Sequence, residues 1–396
     1  MRVLYITLEN LSLHKGSVVH IREVIDGLKK RGHQVGLIGS ATTKLEDVDS
    51  FYNIHPNKLR LFKYFAIKEK SYFISSVLLF LTLIKVLRYY DLIYARDFHT
   101  VIIALIPRLL FNKKLVFEIN GLANEEQRLK EESFINRILA ACIQKAEKMA
   151  TTFSDKIVSV TPQIAAYLTQ YFHCQPEKVE VIGNGVNMKK FYPIYDETLF
   201  RSWKKRLGIT QEDVVIAFVG NLAPWQGVNI LIESALQLLV NNKNLKFLIV
   251  GEGSLRDFLE KRVSDSKYEK KFIFTGMIQY EDIPALINIA DICVAPFISK
   301  RNRITGVSPI KVFEYMACGK PVISSRIEGL EFIEEEGAGR LIEPEDVIGL
   351  QKALDDLAKA PQERMRMGQN GLQVARERFS WESKVVKIEE VLKGLA

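Results

Sequence analysis

The sequence predicts an α/β protein made of two doubly wound, parallel-sheet domains. Three observations predict it. Strand candidates alternate with helical patterns along the whole chain, the alternation restarts near residue 214, and the residues with unusual chemistry fall just after strands. Arg2–Thr7 reads as the first strand, Val18–Arg31 as a helix closed by Gly32, and Val35–Ile38 as the second strand. Leu92–Tyr94, Leu115–Ile119 and Ile157–Val160 follow, each before a loop and a helix.

The restart copies the opening. Val214–Val219 is a strand, Gly220–Gly227 a loop, Asn229–Val240 a helix and Lys246–Val250 the next strand. Phe272–Thr275, Ile292–Ala295 and Val322–Ser324 continue the series. Between the two runs, Asn184-Gly185 and Pro193 mark a turn-rich junction. The expected organisation is a Rossmann-like domain over 1–185, a second over 186–378, and an amphipathic helix over 379–396 that crosses back to the first. Ligands of such sheets sit beyond the carboxyl ends of the strands, so loops from both domains are expected to face a cleft.

The chain has 396 residues, 47% hydrophobic and 26% charged, a composition of globular proteins. Its start, MRVLYIT, leads into a strand and does not read as a signal peptide. Cys142, Cys174, Cys293 and Cys318 lie far apart, which points to free thiols in a reducing, cytoplasmic setting. The net charge of +8 is uneven: residues 1–180 hold 25 basic and 18 acidic residues, and residues 181–396 hold 30 and 29. The basic first half suits an anionic membrane surface or an acidic partner. No aromatic-basic interleaving points to nucleic acid. The apolar run Tyr72–Ile84 is shorter than the roughly 20 residues of a membrane span. A buried helix is one reading; a membrane-touching helix flanked by Lys68, Lys70, Lys85 and Arg88 is the other.

The densest motif is Gly306–Ser324. Ser308 is expected to cap a helix and Pro309 to open it. Gly319 and Pro321 close it. The free amides of Ile310 and Lys311, with the Lys311 ammonium, would form an anion site. Glu314, one turn along, can accept hydrogen bonds from a ribose diol. Phosphate at the tip and a diol below suggest a nucleoside diphosphate. Lys300-Arg-Asn-Arg303 is read as a basic loop beside this site, with Arg303 able to add positive charge. Glu118 and Asn120 alternate onto one strand face before Gly121, either touching a sugar or forming a satisfied buried pair. Gly251 and Gly253 follow a strand without the full dinucleotide fingerprint. They mark a close backbone approach to a ligand or an ordinary tight turn. His99 is read as a core or surface histidine more readily than a ligand. Asp47-Val-Asp49 lies in a polar loop and is not read as a metal site, and no ligand cluster calls for a metal cofactor.

SPIKVFEYMACGKPVISS, VGNLAPWQGVNILIESA, VGEGSLRDFLE, FTGMIQYEDIPALINIADICVAPF, IGNGVNMKKFYP and GSVVHIREVIDGLKKRGHQV occur as an ordered set. Together they resemble glycosyltransferase family 4, the retaining nucleotide-sugar enzymes of the GT-B fold. The resemblance spans essentially the whole chain. It implies transfer of a sugar from a UDP- or GDP-sugar to a glycan or lipid-linked acceptor, in cell-surface polysaccharide or glycolipid assembly. It implies donor contacts at Gly16, Asn221, Gln226, Gly251, Gly253, Met277, Ile278, Arg303, Gly306, Ser308, Pro309, Ile310, Lys311 and Glu314. Backbone near Met277 and Ile278 would read the base. Asn120, Glu118 and Lys311 are the expected catalytic groups.

Several positions depart from the family pattern. Gly306 replaces the first of two glutamates spaced by seven residues, and Asn221 and Gln226 replace an arginine and a lysine. Asn120 replaces a histidine, and the second glycine beside Gly16 is absent. Two other functions therefore stay open: a nucleotide-sugar 2-epimerase-like isomerase, which acceptor-free product analysis would reveal, and a non-catalytic partner protein, which measurable transfer would exclude.

Overall fold

The computed structural model describes residues 1–13, 15–42, 48–55, 68–129 and 133–395, with backbone alone for 68–71. The chain forms two compact units: Met1–Asn184 with Trp381–Ala396, and Gly185–Ser380. Asp47 and the side chains of Lys68 and Lys70 lie outside the described residues.

The first unit has seven strands: β1 (Arg2–Asn10), β2 (Gln34–Ser40), β3 (Ser50–Asn53), β4 (Leu92–Arg96), β5 (Lys114–Ile119), β6 (Lys156–Ser159) and β7 (Val179–Val181). All pair in parallel, in the order β3-β2-β1-β4-β5-β6-β7. The central strands are apolar on both faces, as a sheet covered twice requires; Val3, Leu4, Tyr5 and Ile6 are fully buried. Two strands were not read from sequence. The short edge strands β3 and β7 have only half-buried or exposed positions, so neither shows a core signature.

The second unit has six strands: β8 (Val214–Val219), β9 (Leu245–Val250), β10 (Phe272–Gly276), β11 (Ile292–Ala295), β12 (Val322–Ser325) and β13 (Gly339–Ile342). They are parallel, in the order β10-β9-β8-β11-β12-β13. Edge strand β13 was also missed; it begins with a glycine, a poor strand former. In both units the order reverses beside the first strand, at β1/β4 and at β8/β11. Ligands of doubly wound sheets sit at such a reversal.

The helix Trp381–Lys393 belongs to the first unit and packs on the helix Gly16–Lys30. Glu389 fastens it. The carboxylate accepts from Arg31 Nε at 2.7 Å and sits 2.8 Å from His33 Nε2. These partners hold the Glu389 carboxyl below its usual range.

Candidate functional site

In the second unit the loops after β8, β9 and β11 are packed backbone to backbone. Gly227 has φ +69°, and a Cβ there would lie 1.7 Å from the Pro296 carbonyl oxygen, so only glycine closes this turn. Gly251 and Gly253 are equally tight, but against protein. Their missing Cβ atoms would meet Gly220 O at 2.0 Å and Asn221 Oδ1 at 2.5 Å. Of the two readings of these glycines, the tight turn is the one this packing accounts for. Gly251 N also donates to Gly276 O at 3.0 Å.

The helix after this cluster runs Ile310–Ala317. The expected Ser308 cap is not formed. Pro309 occupies the capping position, no side chain caps the helix, and Pro309 O accepts from the amides of Val312 and Phe313. Ile310 and Lys311 thus provide the first-turn amides that have no acceptor within a helix. The Lys311 side chain folds back beneath β8. Its Nζ donates to Gln226 Oε1 at 2.7 Å and lies 4.0 Å from the Phe218 ring centroid. A Cβ on Gly220 would come within 2.6 Å of that nitrogen, so glycine makes room for the ammonium. Burial pushes Lys311 down to about 7, while Glu314 pulls it back up. Glu314 is buried at 6% exposure and accepts from the Tyr280 hydroxyl at 3.2 Å. Lys311, Gln226 and Glu314, apart in sequence or spaced by a turn, thus form one polar group at the β8/β11 reversal.

The basic loop expected at 300–303 is a short helix, Ser299–Thr305. Asn302 Nδ2 donates to Ile298 O at 2.7 Å and to Trp225 O at 3.3 Å, fixing the segment to the loop after β8. Arg301 lies over the Trp225 ring at 5.3 Å, whereas Arg303 is exposed. Gly306 ends the helix at φ +63°. A glutamate would be strained there, which is a local reason for its absence. Met277 is exposed at 56%, and Ile278 packs against the core beside Tyr280.

In the first unit, Gly16 starts the helix Gly16–Lys30 and is exposed. Glu118, at the end of β5, has 0% exposure. Its Oε1 accepts from Arg96 Nη1 at 2.6 Å and from Asn120 Nδ2 at 2.8 Å; its Oε2 lies 3.0 Å from His20 Nε2. Burial alone would raise this carboxyl, but His20 and Arg96 bring it well below the carboxylate range. The carboxylate is sealed, its Oε1 held by Arg96 and Asn120 and its Oε2 facing His20, so the buried pair rather than a sugar contact is the reading the geometry supports. Asn120 stays half-buried, its amide nitrogen committed to Glu118.

Sequence reasoning missed His20 and Arg96. His20 Nδ1 lies 2.7 Å from Asn184 Oδ1, and its ring packs edge-on to Trp381 at 5.0 Å. A histidine on the apolar face of the first helix was the available signal. Also missed was Glu147, whose Oε1 accepts from Ala123 N at 2.7 Å and fixes the turn after Asn120. Burial pushes it up to about 7 against the pull of the Ala123 and Asn124 amides. His99 is partly exposed and stands 3.6 Å from Asp97. Asp49, the describable half of the two-aspartate motif, accepts from Val35 N at 2.7 Å, a structural use. Among the described residues no group of three or more His, Cys, Asp or Glu is placed to hold a metal.

Residues 14–190 match the family model described as Glycosyltransferase Family 4, and residues 200–374 match that of Glycosyl transferases group 1. An uncharacterized glycosyltransferase of Methanocaldococcus jannaschii is 23% identical over 93% of this chain and 91% of its own. A GDP-mannose-dependent monoacylated alpha-(1-6)-phosphatidylinositol monomannoside mannosyltransferase of Corynebacterium glutamicum is 28% identical, over 58% of this chain and 62% of its own length. The Anabaena protein HepE, solved in complex with UDP-glucose, superposes with a TM-score of 0.76 at 18% identity, covering 100% of both chains. With two parallel doubly wound units of the GT-B type and family matches running from residue 14 to residue 374, the chain belongs to glycosyltransferase family 4 and is a glycosyltransferase.

Proposed function

We propose that this enzyme transfers a hexosyl group from a UDP- or GDP-sugar to a glycan or lipid-linked acceptor with retention of configuration, in cell-surface polysaccharide or glycolipid assembly. The observation behind this reading is the Lys311–Gln226–Glu314 group at the β8/β11 reversal. The second unit holds the nucleotide sugar and the first holds the acceptor. When the bond from the anomeric carbon to the diphosphate oxygen breaks, its electron pair leaves on the diphosphate. The Lys311 ammonium and the amides of Ile310 and Lys311 stabilise that charge. The acceptor hydroxyl forms the new bond to the anomeric carbon, and its proton passes to the departing diphosphate oxygen. Glu314 binds the ribose diol, and backbone beside Met277 and Ile278 reads the base. Gly306 offers no side chain to the donor sugar, so sugar choice rests on other groups.

The relatives support both halves of the reading. One is named for GDP-mannose and a phosphatidylinositol mannoside, and a protein of the same fold was solved with UDP-glucose. The four thiols are unpaired, in keeping with a reducing compartment, and we place the reaction in the cytoplasm. Protein cations and helix amides meet the diphosphate charge in this reading, so transfer should persist in EDTA. A strict requirement for added manganese or magnesium would replace it with a metal-bridged donor. The direct test is a thermal-shift panel of UDP- and GDP-sugars, in which a bound donor raises the melting temperature by mass action. A panel with no shift would reject the donor class. Conversion of a donor without any acceptor would point to an isomerase.

A further inference from the structure

In the first unit, the helices Lys68–Val86, Phe98–Leu110 and Phe134–Phe153 pack side by side as one layer on the sheet. The layer is apolar outward as well as inward. On the first helix, Leu79 and Leu83 are fully buried, while Phe73, Val77 and Leu81 stand out at 70%, 43% and 57% exposure. The exposed three are four residues apart and form one stripe. Leu109 continues the surface on the second helix at 75%, and Phe134 and Ile138 on the third at 78% and 49%. Isolated apolar residues on a surface need no explanation; a patch across three adjoining helices does.

Among the described side chains, the exposed charges on the layer have one sign. Lys85, Lys145 and Lys148 are exposed. Among the described side chains of the three helices the only carboxylate is Glu147, which is 1% exposed and turned inward onto Ala123 N. We infer that this three-helix face rests on the surface of an anionic lipid bilayer, with the apolar stripes in the acyl boundary and the lysines at the headgroups. A second copy of the chain fits less well, because an isologous contact would bring the same lysines together. The window Tyr72–Tyr89, with mean hydropathy 1.6, is long and apolar enough to cross a membrane, beyond the run of 13 residues read from sequence. Leu79, Leu83 and Leu87 have 0% exposure, so one side of this helix is committed to protein. Lying on the membrane is therefore the geometry that leaves the fold intact. The inference goes beyond the donor-site reading and stands without it.

Sedimentation of the full chain tests it, with vesicles of phosphatidylcholine alone and of phosphatidylcholine mixed with phosphatidylglycerol. Binding should appear with the anionic lipid and fall as salt is raised. Replacing Lys85, Lys145 and Lys148 by Gln should weaken it by about fivefold per residue. The double variant Leu81→Glu/Leu109→Glu should abolish it; both sites are exposed, and an unchanged thermal melt would show the fold is kept. Equal, negligible sedimentation with both vesicle types would overturn the inference. So would a dimer in solution that the same double variant converts to monomer.

Discussion

The two units wind their sheets in the same order around the same reversal, yet fill the mouth of the sheet by opposite means. At β4 and β5 the first unit brings charged side chains together and neutralises them within the protein: Arg96 meets the buried Glu118, with the His20 ring beside it. At β8 and β11 the second unit brings backbone together through glycine and leaves Lys311 with an amide oxygen and an aromatic ring as its closest partners. The backbone geometry follows the same division. Near its mouth the second unit meets positive φ with Gly220, Gly227, Gly251, Gly276 and Gly306, whereas the first meets it with Asp97. A cation already matched by carboxylate holds a fold together; a cation matched by a neutral oxygen remains available to an anion. The shared winding marks where ligands of such sheets sit, and the partner of the cation is the feature on which the proposed phosphate role of the second unit rests.

The largest expected effect breaks the first unit. Glu118→Gln leaves Arg96 buried without its counter-charge, which should cost about 3–5 kcal/mol. Chemical denaturation should show the loss in one transition, while the affinity for UDP or GDP stays that of the parent. A stability unchanged by this substitution would remove the structural role of the cluster.

In the second unit the corresponding carboxylate should behave the other way. Glu314→Gln should leave stability nearly unchanged and weaken nucleotide binding by about 1.5–3 kcal/mol, the range for a hydrogen bond to a charged group. Calorimetry with the nucleotide alone checks it, and parental affinity would reject the ribose contact.

This contrast also explains what was legible from the residues. The central strands were, because a sheet covered on both faces needs unbroken apolar runs such as Val214–Val219. The edge strands β3 and β7 were not, because their three or four positions are half-buried or exposed, and β13, though largely buried, opens with Gly339-Arg340 and so has no such run. Lys311 and Glu314 were legible because one helical turn relates them. Their partners were not: Gln226 is 85 residues from Lys311 and Tyr280 is 34 from Glu314. Glu118 and Asn120 were read as neighbours, but the choice between sugar contact and buried pair lay with Arg96 and His20, on other elements. Ser308 looked like a cap, and Pro309 took that position with extended backbone instead.

Lys311 sharpens the comparison through pH. Burial lowers its ammonium to about 7, so the free protein is largely charged below that pH and largely neutral above it. A bound diphosphate favours the charged form and raises the pKa. Nucleotide affinity should therefore be level below about pH 7 and fall above it, approaching about tenfold per pH unit. Proton uptake on binding should appear as a calorimetric heat that depends on the buffer. Lys311→Met should bind more weakly at pH 6.5, roughly half a unit below that midpoint, and lose the slope. A parental slope in that variant would assign the titration elsewhere.

The smallest effect concerns the strain at the first unit's reversal. Asp97 sits at φ 70°, ψ 157°, a region almost reserved for glycine, between Arg96 and the helix Phe98–Leu110. Its carboxylate accepts from Thr100 N at 3.1 Å and caps that helix. Asp97→Gly should relieve about 1–3 kcal/mol of strain. Against this, the cap exchange costs a few tenths of a kcal/mol and the freer unfolded glycine about 0.5–1 kcal/mol. The balance is a gain near 1 kcal/mol, read as a small rise in the first unit's unfolding midpoint. A melt that rises while transfer falls would show that the strain positions Arg96 and the acceptor side for function. A melt that falls would mean the Asp97 carboxylate holds the strand end more firmly than its conformation strains it, and both units would then be governed at their mouths by side-chain charge.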